Sequence, residues 1–406
     1  MPGLDSNLSN SGGPLAGIRV IELARVLAGP WAGQVLADLG ADVIKIESPA
    51  GDDTRQWGPP FIDYADGGRD SAYFHSCNRG KRSVVLDLAA PADAAAARLL
   101  CLGADVVIEN FKVGGLARFG LDAAQLAAGN PRLVVCSITG FGQDGPYAAR
   151  AGYDFIVQAM GGIMDLTGEP DGPPQKPGVA YADLFTGLYA AIAIQAALLQ
   201  RTATGRGSVI DLALLDTQIA VLANQSLNYL SSGVAPRRMG NAHPNLVPYQ
   251  VFTAADGELV IAVGNDAQFR KLVTLLGMPG YADDAQARSN AERVRNRAAV
   301  VARVQGAVLG WRVADLAQRL EQAGVPAGPI NTVAQAFADP QVQARAMAGY
   351  ARMADGQQVP AVRLPIRMTG LADRPGAASP RLGEHTRELL DELRSQVPHS
   401  GWRQQP

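Results

Sequence analysis

Cysteine and histidine are both scarce in this chain of 406 residues. The three cysteines, Cys77, Cys101 and Cys136, lie far apart and form no CxxC pair, so neither a disulfide framework nor a zinc knuckle is indicated. This cysteine usage fits a reducing, cytoplasmic compartment. The histidines have no metal-ligand spacing, and we therefore expect no metal site. They are His75, His243, His385 and His399.

An excess of one charge sign is missing too. Lysine and arginine together number 36 and aspartate and glutamate 38, which gives a net charge of −2 and indicates no nucleic-acid partner. The longest apolar run, residues 188–199, is interrupted by Gln195 and is well short of the roughly 20 residues of a membrane-spanning helix, so we expect no membrane association. Residues 1–13 have neither a basic start nor an apolar centre, which predicts a disordered tail and not a signal peptide.

Three common catalytic fingerprints are absent. The chain contains no Gly-x-Ser-x-Gly elbow and no phosphate-binding Walker loop, which argues against a serine hydrolase and a P-loop NTPase. The turn after the first predicted strand reads LAGPWAG at residues 27–33, not GxGxxG, and Pro30 removes one amide donor. A dinucleotide-dependent dehydrogenase is therefore poorly supported.

Short β-branched segments that alternate with helical segments are present throughout the first half of the chain. This alternation predicts an α/β fold, a Rossmann-like doubly wound parallel sheet without the dinucleotide fingerprint, together with a smaller α+β domain. We expect the following organisation: a large domain at 14–215, a linker at 216–240, the small domain at 241–325, a second linker at 326–375 and a C-terminal return to the large domain at 376–406.

Asp183 stands between an extended apolar segment and a nearly uncharged helical segment, residues 184–201. One interpretation is a helix N-cap, because an aspartate there accepts hydrogen bonds from free backbone N–H groups. The other is a carboxylate nucleophile that the helix dipole keeps ionised. The two interpretations are compatible.

Polar residues follow several of the predicted strands at their carboxyl ends, the edge where open α/β sheets bind ligands. Each has a simple explanation as a turn residue, but together they would surround one crevice. Nearby basic residues would suit an anionic ligand such as a phosphorylated nucleotide. The crevice residues are Arg25, Val26, Asn110, Phe111, residues 139–142 and Asp183, and the basic ones are Lys81, Arg82 and Arg118.

Motifs in a fixed order along residues 14–395 resemble those of the family III CoA-transferases. They are GIRVIEL at 17–23, LAGP at 27–30, LGADVIKIE at 39–47, NRGKRS at 78–83, ENF at 109–111, GYD at 152–154, ADLFTG at 182–187 and LGEHT at 382–386. Three further segments are similar to the succinyl-CoA:glutarate, or dicarboxylate, branch of that family. They are GDDTRQWGPPF at 51–61, SITGFGQ at 137–143 and VPYQ at 247–250.

The resemblance implies an enzyme that moves CoA from an acyl-CoA, with succinyl-CoA expected, to a carboxylic acid such as glutarate. Asp183 would be the catalytic residue, acting through aspartyl anhydride and aspartyl-CoA thioester intermediates. It also implies an interlocked homodimer and no permanently bound cofactor, since the coenzyme A thioester is itself a substrate. The CoA site it implies consists of Val26, Ala28, Asn110, Phe111, Arg118 and Tyr153.

Two departures from the formyl-CoA enzyme of the family argue against formyl or oxalyl substrates: Leu27 replaces a glutamine, and residues 241–246 replace a glycine-rich loop. A dicarboxylate acceptor needs a cation for its distal carboxylate, because an unpaired buried carboxylate is costly. The candidates are Arg25, Arg55 and His243.

Two alternatives stay open at this point. An α-methylacyl-CoA racemase needs a Gly-His-Asp triplet, whereas this chain has Gly-Tyr-Asp at residues 152–154. A tyrosine hydroxyl, with an ordinary pKa near 10, is a poor base at neutral pH, so we favour transfer over racemisation. A non-catalytic CoA-binding protein is the alternative of another class, and it would not need Asp183.

Overall fold

The computed structural model describes residues 12–369, 371 and 376–396. The predicted tail lies outside this part of the chain except for residues 12 and 13, and His399 lies outside it as well. The described residues divide into two compact units. The large unit contains the chain up to Gly162, Pro177–Leu227 and the chain from Pro340 onward, and the small unit contains Ile163–Lys176 and Asn228–Asp339.

Strands and helices are numbered in chain order. The strands are β1 (Arg19–Glu22), β2 (Asp42–Glu47), β3 (Phe61–Asp63), β4 (Arg69–Ser71), β5 (Arg82–Val85), β6 (Val106–Glu109), β7 (Val134–Thr139), β8 (Val209–Ala213), β9 (Tyr249–Ala254), β10 (Gly257–Ala262), β11 (Ala327–Pro329), β12 (Ala348–Arg352) and β13 (Gln358–Val362). The helices are α1 (Ala28–Asp38), α2 (Ala72–Cys77), α3 (Pro91–Leu102), α4 (Ala123–Gly129), α5 (Asp154–Met160), α6 (Ile163–Leu166), α7 (Tyr181–Thr204), α8 (Leu214–Ala220), α9 (Asn224–Ser232), α10 (Asp266–Leu275), α11 (Asn290–Arg295), α12 (Arg297–Val308), α13 (Val313–Gln322), α14 (Val333–Ala338), α15 (Pro340–Ala344) and α16 (Thr386–Gln396).

A parallel sheet of six strands forms the centre of the large unit, in the order β5-β2-β1-β6-β7-β8. The register is fixed at its middle, where Val20 of β1 pairs with Val43 on one side and with Val106 on the other. The strand order reverses between β1 and β6, and in such sheets ligands bind outside the carboxyl ends of the strands at that point. The predicted parallel α/β sheet is confirmed.

Apolar side chains cover both faces of this sheet. One core joins the sheet to α1 and α7, with Ala32, Leu36, Ala190 and Ile194 fully or almost fully buried. The other joins the opposite face to α3, α4 and α16. Continuous burial on both faces explains why the strands are apolar without alternation.

Helix α7 is longer than the predicted 184–201, because Tyr181 to Thr204 forms one continuous helix. With 24 residues and an apolar composition it could cross a membrane, and nearly half of its most apolar part is buried. A single helix of this kind is weak evidence for a membrane span, because the core helices of soluble proteins share that length and composition. Its buried face packs on α1 and β7, as a core helix does.

The small unit contains an antiparallel sheet in the order β11-β10-β9. An Asp-Gly pair, as at residues 256–257, predicts a hairpin, and the turn at Ala255–Asp256 does join β9 and β10. The apolar side chains that cover this sheet come from α10, α12 and α13. The guanidinium of Arg293 is buried here and donates to the carbonyls of Val247 and Ala287 and to Asp266. Its contacts hold the segment before β9 against α10 and α11.

Two predicted helices are interrupted. The sequence pattern predicts one helix over 153–164, but the helix is broken at Gly161–Gly162, where Gly162 has a positive φ of 86° that ends α5 before α6 begins. The pattern also predicts one helix over 291–309, which is divided at Asn296 into α11 and α12. Hydrophobic periodicity continues across each break, so the sequence pattern alone does not reveal them.

Candidate active site

A cleft of about 520 Å³ opens at the carboxyl edge of the sheet in the large unit. Its walls come from the segments that follow β1, β6 and β7 and from the start of α7. The residues that bear on the argument are Arg25, Val26, Ala28, Asn110, Phe111, Lys112, Arg118, Phe119, Arg150, Tyr153 and Asp183. The structure thus brings together Asp183, all six predicted CoA-site residues and one of the three acceptor candidates.

Asp183 lies in the first turn of α7 and is not its N-cap. The N-cap position belongs to Ala180, which provides no side-chain cap. The carboxylate of Asp154 takes that role from outside the helix, because its Oδ1 accepts from the backbone N–H of Ala182 at 2.8 Å and from that of Asp183 at 3.3 Å. The predicted capping role of Asp183 is therefore wrong, and its own carboxyl group is left to face the cleft.

Burial of the Asp183 carboxyl, together with the negative charge of Asp154, raises its pKa to about 7. The expected effect of the helix dipole, which would keep the group ionised, is thus outweighed. Tyr73 of α2 lies near the same pair, and burial followed by the charge of Asp183 raises its pKa above the usual range. A carboxylate with a raised pKa is more basic and hence a better nucleophile than an exposed one.

The segment between β1 and α1 is held by side chains that bind its backbone. The amide of Asn110 accepts from the Arg25 N–H at 2.9 Å and donates to the Arg25 carbonyl at 2.7 Å. The next residue, Val26, has a φ of 71°, which is a rare and strained conformation for a β-branched side chain. Its N–H donates to the carboxylate of Asp52, with oxygen distances of 3.2 and 3.4 Å.

A network of buried ion pairs lies beneath this segment. Lys45 contacts Asp52 at 2.9 Å and Glu22 at 3.1 Å, and Lys81 contacts Glu22 at 2.8 Å, with all four side chains inaccessible to solvent. Burial alone would raise the pKa of Asp52, but the Lys45 charge and the hydrogen bonds from Thr54 lower it below its usual range. Asp52 is therefore a charged, fully paired acceptor.

Aromatic and cationic side chains line the outer part of the cleft. Phe111, Phe119 and Tyr153 offer ring surfaces, and the Arg118 guanidinium stacks over Phe119 at 4.5 Å. Lys112 and Arg150 add positive charge. Such a combination suits a ligand with a base to stack and phosphates to neutralise.

The three acceptor candidates have very different surroundings. Arg25 borders the cleft, is mostly exposed and contacts Asp53 at 3.2 Å. Arg55 is buried and donates to Glu47, Asp70 and the carbonyl of Pro380. Its contacts are those of a structural ion pair, so its guanidinium is already occupied by Glu47 and Asp70.

The remaining candidate, His243, belongs to the small unit. Its ring packs against Tyr249 at 5.1 Å, and its Nδ1 accepts from the Asn245 N–H. Burial, followed by the charge of Arg297, lowers its pKa. A neutral imidazole is a weak partner for a carboxylate, which leaves Arg25 as the preferred candidate.

Several residues of the site were not singled out from the sequence. Asp154 stood in the Gly-Tyr-Asp motif, but nothing in the motif indicates that it caps a helix 28 residues later. Asp52 stood in the segment at 51–61, with no signal that it supports Val26. Lys112 and Arg150 are basic residues near predicted turns, and only the fold brings them to one cleft. Within the described residues, no group of three or more histidine, cysteine, aspartate or glutamate side chains could hold a metal ion.

Known proteins that are similar to this chain point to one family. The sequence model of CoA-transferase family III matches residues 15–386. An Agrobacterium fabrum protein named succinate–glutarate CoA-transferase is 56% identical over 390 residues, which cover 96% of this chain and 98% of that protein. A Mus musculus protein named succinyl-CoA:glutarate CoA-transferase is 41% identical over 384 residues, which cover 94% of this chain and 86% of that protein.

A solved structure is similarly close. The crystal structure of a CAIB/BAIF family protein from Brucella suis has a TM-score of 0.83 and 57% sequence identity, and the match covers 94% of this chain and 100% of that one. The α/β fold is thus that of a class of enzymes that transfer CoA. The chain belongs to CoA-transferase family III, and the predicted membership and enzyme class are confirmed.

Proposed function

We propose that this enzyme transfers CoA from succinyl-CoA to a dicarboxylate such as glutarate, with Asp183 as the catalytic nucleophile. The observation that carries the proposal is a single carboxyl group with a raised pKa that faces a cleft rich in cations and aromatic rings. No hydrogen-bond donor from the described residues contacts that carboxyl group, so it is available for attack. The names of the two relatives support succinyl-CoA and glutarate as the substrate pair.

The reaction begins when a carboxylate oxygen of Asp183 attacks the thioester carbonyl. The carbon–sulfur bond breaks, CoA leaves as a thiolate, and an acyl-aspartyl anhydride remains. The thiolate then attacks Cγ of Asp183 and releases the donor acid, which gives the aspartyl-CoA thioester.

The acceptor carboxylate repeats the sequence in reverse. It attacks Cγ of Asp183 and expels the thiolate, and the second anhydride is cleaved when the thiolate attacks the acceptor carbonyl. The new acyl-CoA leaves and the Asp183 carboxylate is restored. Each step exchanges acyl groups between oxygen and sulfur, so the cycle consumes no proton and needs no redox partner. The coenzyme A thioester enters as a substrate, and the proposal includes no permanently bound cofactor.

Water must be kept from both anhydrides, and the surroundings of Asp183 serve that purpose. Leu27, Ala28 and Leu214 are buried apolar residues that border the same cleft. Val26, Ala28, Asn110, Phe111, Arg118 and Tyr153 are proposed to hold the CoA moiety. Phe111 and Tyr153 offer ring surfaces to the base, and Arg118 offers charge to the phosphates.

We also propose a homodimer of interlocked protomers in the cytoplasm. Three exposed apolar residues, Leu188, Ile192 and Leu199, lie on one side of α7 at helical spacing, with 61% of Ile192 and 73% of Leu199 accessible. A second copy of the chain would cover this stripe. The domain boundaries at 215, 240, 325 and 375 are proposed as the places where the chain passes between protomers.

The test is capture of the covalent intermediate. Enzyme mixed with succinyl-CoA alone and quenched with borohydride or hydroxylamine should carry a modification on Asp183, found by peptide mass spectrometry. Asp183→Asn should show neither the modification nor turnover, while it still binds CoA and keeps its melting temperature. Asp154→Asn is the matched control, because it removes a neighbouring carboxylate and keeps the nucleophile, so it should still be labelled. Turnover by a folded Asp183→Asn enzyme would refute the proposal.

A further inference from the structure

The strained residue at the cleft, Val26, is held by a residue that does not line the cleft itself. Asp52 is buried, with 1% of its surface accessible, and it is absent from the cleft wall. Its carboxylate nevertheless accepts from the Val26 N–H while Lys45 neutralises its charge. The geometry therefore connects a buried ion pair directly to the backbone that borders Asp183.

Asp52 is itself rigidly oriented. Its Oδ1 accepts from the Thr54 N–H at 3.0 Å and from the Thr54 hydroxyl at 2.8 Å. Its own N–H donates to Glu47 at 3.0 Å, and Lys45 in turn donates to the carbonyl of Ala24 at 2.7 Å. Because Ala24 and Val26 lie on either side of Arg25, the Asp52 and Lys45 pair holds the chain at two points around the residue proposed to meet the acceptor.

The position of this segment also bears on Asp183. A Cβ at Gly187, one turn along α7 from Asp183, would lie only 2.6 Å from the carbonyl oxygen of Ala28. The segment and the helix that carries the nucleophile therefore pack backbone to backbone, with no side chain between them to absorb a shift. A change in the Val26 conformation would therefore alter the cleft wall that packs against the helix carrying Asp183.

We infer that Asp52 is a positioning residue for the transferase reaction: it stabilises the left-handed conformation of Val26 and thereby fixes residues 25–28 in the wall of the cleft that also contains Asp183. The inference rests on the proposed function of Asp183. A left-handed valine is unfavourable without such support, so loss of Asp52 should let this segment relax toward an extended or right-handed conformation.

The test is a double-mutant cycle between Asp52 and Val26. Glycine adopts a positive φ without strain, so Val26→Gly removes the need for the support. We expect Asp52→Asn to lower kcat/KM for succinyl-CoA by about tenfold or more in the Val26 background, and to lower it several-fold less in the Val26→Gly background. A merely structural Asp52 would give equal losses in both backgrounds, and that result would overturn the inference.

A matched control separates positioning from general loss of stability. Asp38→Asn disrupts another buried ion pair, with Arg79, at the opposite end of α1. It should lower the melting temperature without changing the KM for succinyl-CoA, whereas Asp52→Asn should raise that KM. If Asp52→Asn folds only in the Val26→Gly background, the rescue is itself the expected coupling. Failure to fold in both backgrounds would show a purely structural role and overturn the inference.

Failure of the positioning role of Asp52 can be distinguished from failure of the proposed role of Asp183. Labelling of Asp183 at the wild-type rate in a folded Asp52→Asn enzyme would overturn the positioning role and leave the nucleophile intact. Turnover without Asp183 would instead remove the reaction on which the inference rests.

Discussion

Asp183 and Asp154 lie at the N-terminus of α7 and have different roles there. Asp154 accepts the backbone N–H groups at the start of α7, so the Asp183 carboxyl is free to face the cleft. Burial and the nearby Asp154 charge then raise the pKa of Asp183 to about 7. Because this pKa lies near neutrality, the rate of the proposed reaction should depend on pH in that range.

If Asp183 is the nucleophile, as we propose, only its ionised form attacks the thioester. We therefore expect kcat/KM for succinyl-CoA to fall by about tenfold per pH unit below pH 7 and to level off above it. Asp154→Asn removes a negative charge that disfavours ionisation, so it should lower the pKa and move this limb to lower pH. Asp216→Asn, which changes an exposed carboxylate of α8, should leave the limb in place. An unchanged limb in Asp154→Asn would contradict the assignment.

Arg25 is the residue that we propose to bind the distal carboxylate of the acceptor. A dicarboxylate would place its distal carboxylate on this guanidinium, in competition with Asp53. Arg25→Met should raise the KM for glutarate by about tenfold or more and the KM for butyrate by less than about threefold, as steady-state kinetics with succinyl-CoA would show. Arg69→Met, a change of an exposed arginine elsewhere in the large unit, should alter neither. An equal rise in KM for both acids would contradict this assignment and indicate that Arg25 acts in CoA binding or in folding.

At the scale of the elements, the site depends on how closely α7 approaches the start of α1. Gly187 makes this approach possible, since a Cβ there would meet the Ala28 carbonyl at 2.6 Å and the Trp31 side chain at 3.0 Å. Helix α7 can therefore pack this closely against the start of α1 only because residue 187 is a glycine.

Gly187→Ala should push α7 away from α1 and lower the free energy of unfolding by about 1–3 kcal/mol, with a loss of kcat because Asp183 moves as well. Chemical denaturation and steady-state kinetics would measure the two effects. Gly306→Ala is the control, because Gly306 lies within α12 and a Cβ there would meet nothing within 4 Å. That change should stabilise the protein by up to about 1 kcal/mol, since alanine favours a helix. A stable, fully active Gly187→Ala enzyme would show that the close approach is unimportant.

At the scale of the whole molecule, the apolar stripe of α7 bears on assembly. Leu188, Ile192 and Leu199 are large and exposed on one side of a helix whose other side is buried in the core, which is typical of a surface covered in an oligomer. The chain passes between the two units at Leu227–Asn228 and at Asp339–Pro340, within the segments where we propose that it passes around the partner protomer.

We expect sedimentation velocity to show a dimer that persists on dilution to the low micromolar range. Ile192→Glu places a charge in the stripe and should yield monomer or aggregated protein. Gln200→Glu, an exposed change about a third of a turn away on the same helix, should remain dimeric. A monomeric wild-type protein at these concentrations would remove the proposed assembly.

The sequence by itself determined the parallel sheet, because short β-branched runs bounded by turn residues have few other solutions once helices separate them. It also determined the family, and it predicted that Arg25, Asn110, Phe111 and Asp183 would meet at one edge, since the carboxyl ends of parallel strands lie together. These conclusions depend on local pattern and on chain order, which a sequence contains directly.

Only the tertiary structure decided which carboxylate caps α7, which arginine is available and what holds Val26. Asp154, Arg55 and Asp52 each act through contacts with residues that are between 8 and 325 positions away in the chain. A capping aspartate and a nucleophilic one look alike in sequence, as do a buried and an exposed arginine. Their roles differ because burial and neighbouring charges set the pKa and the free hydrogen-bonding groups of each side chain, and those are properties of the folded chain.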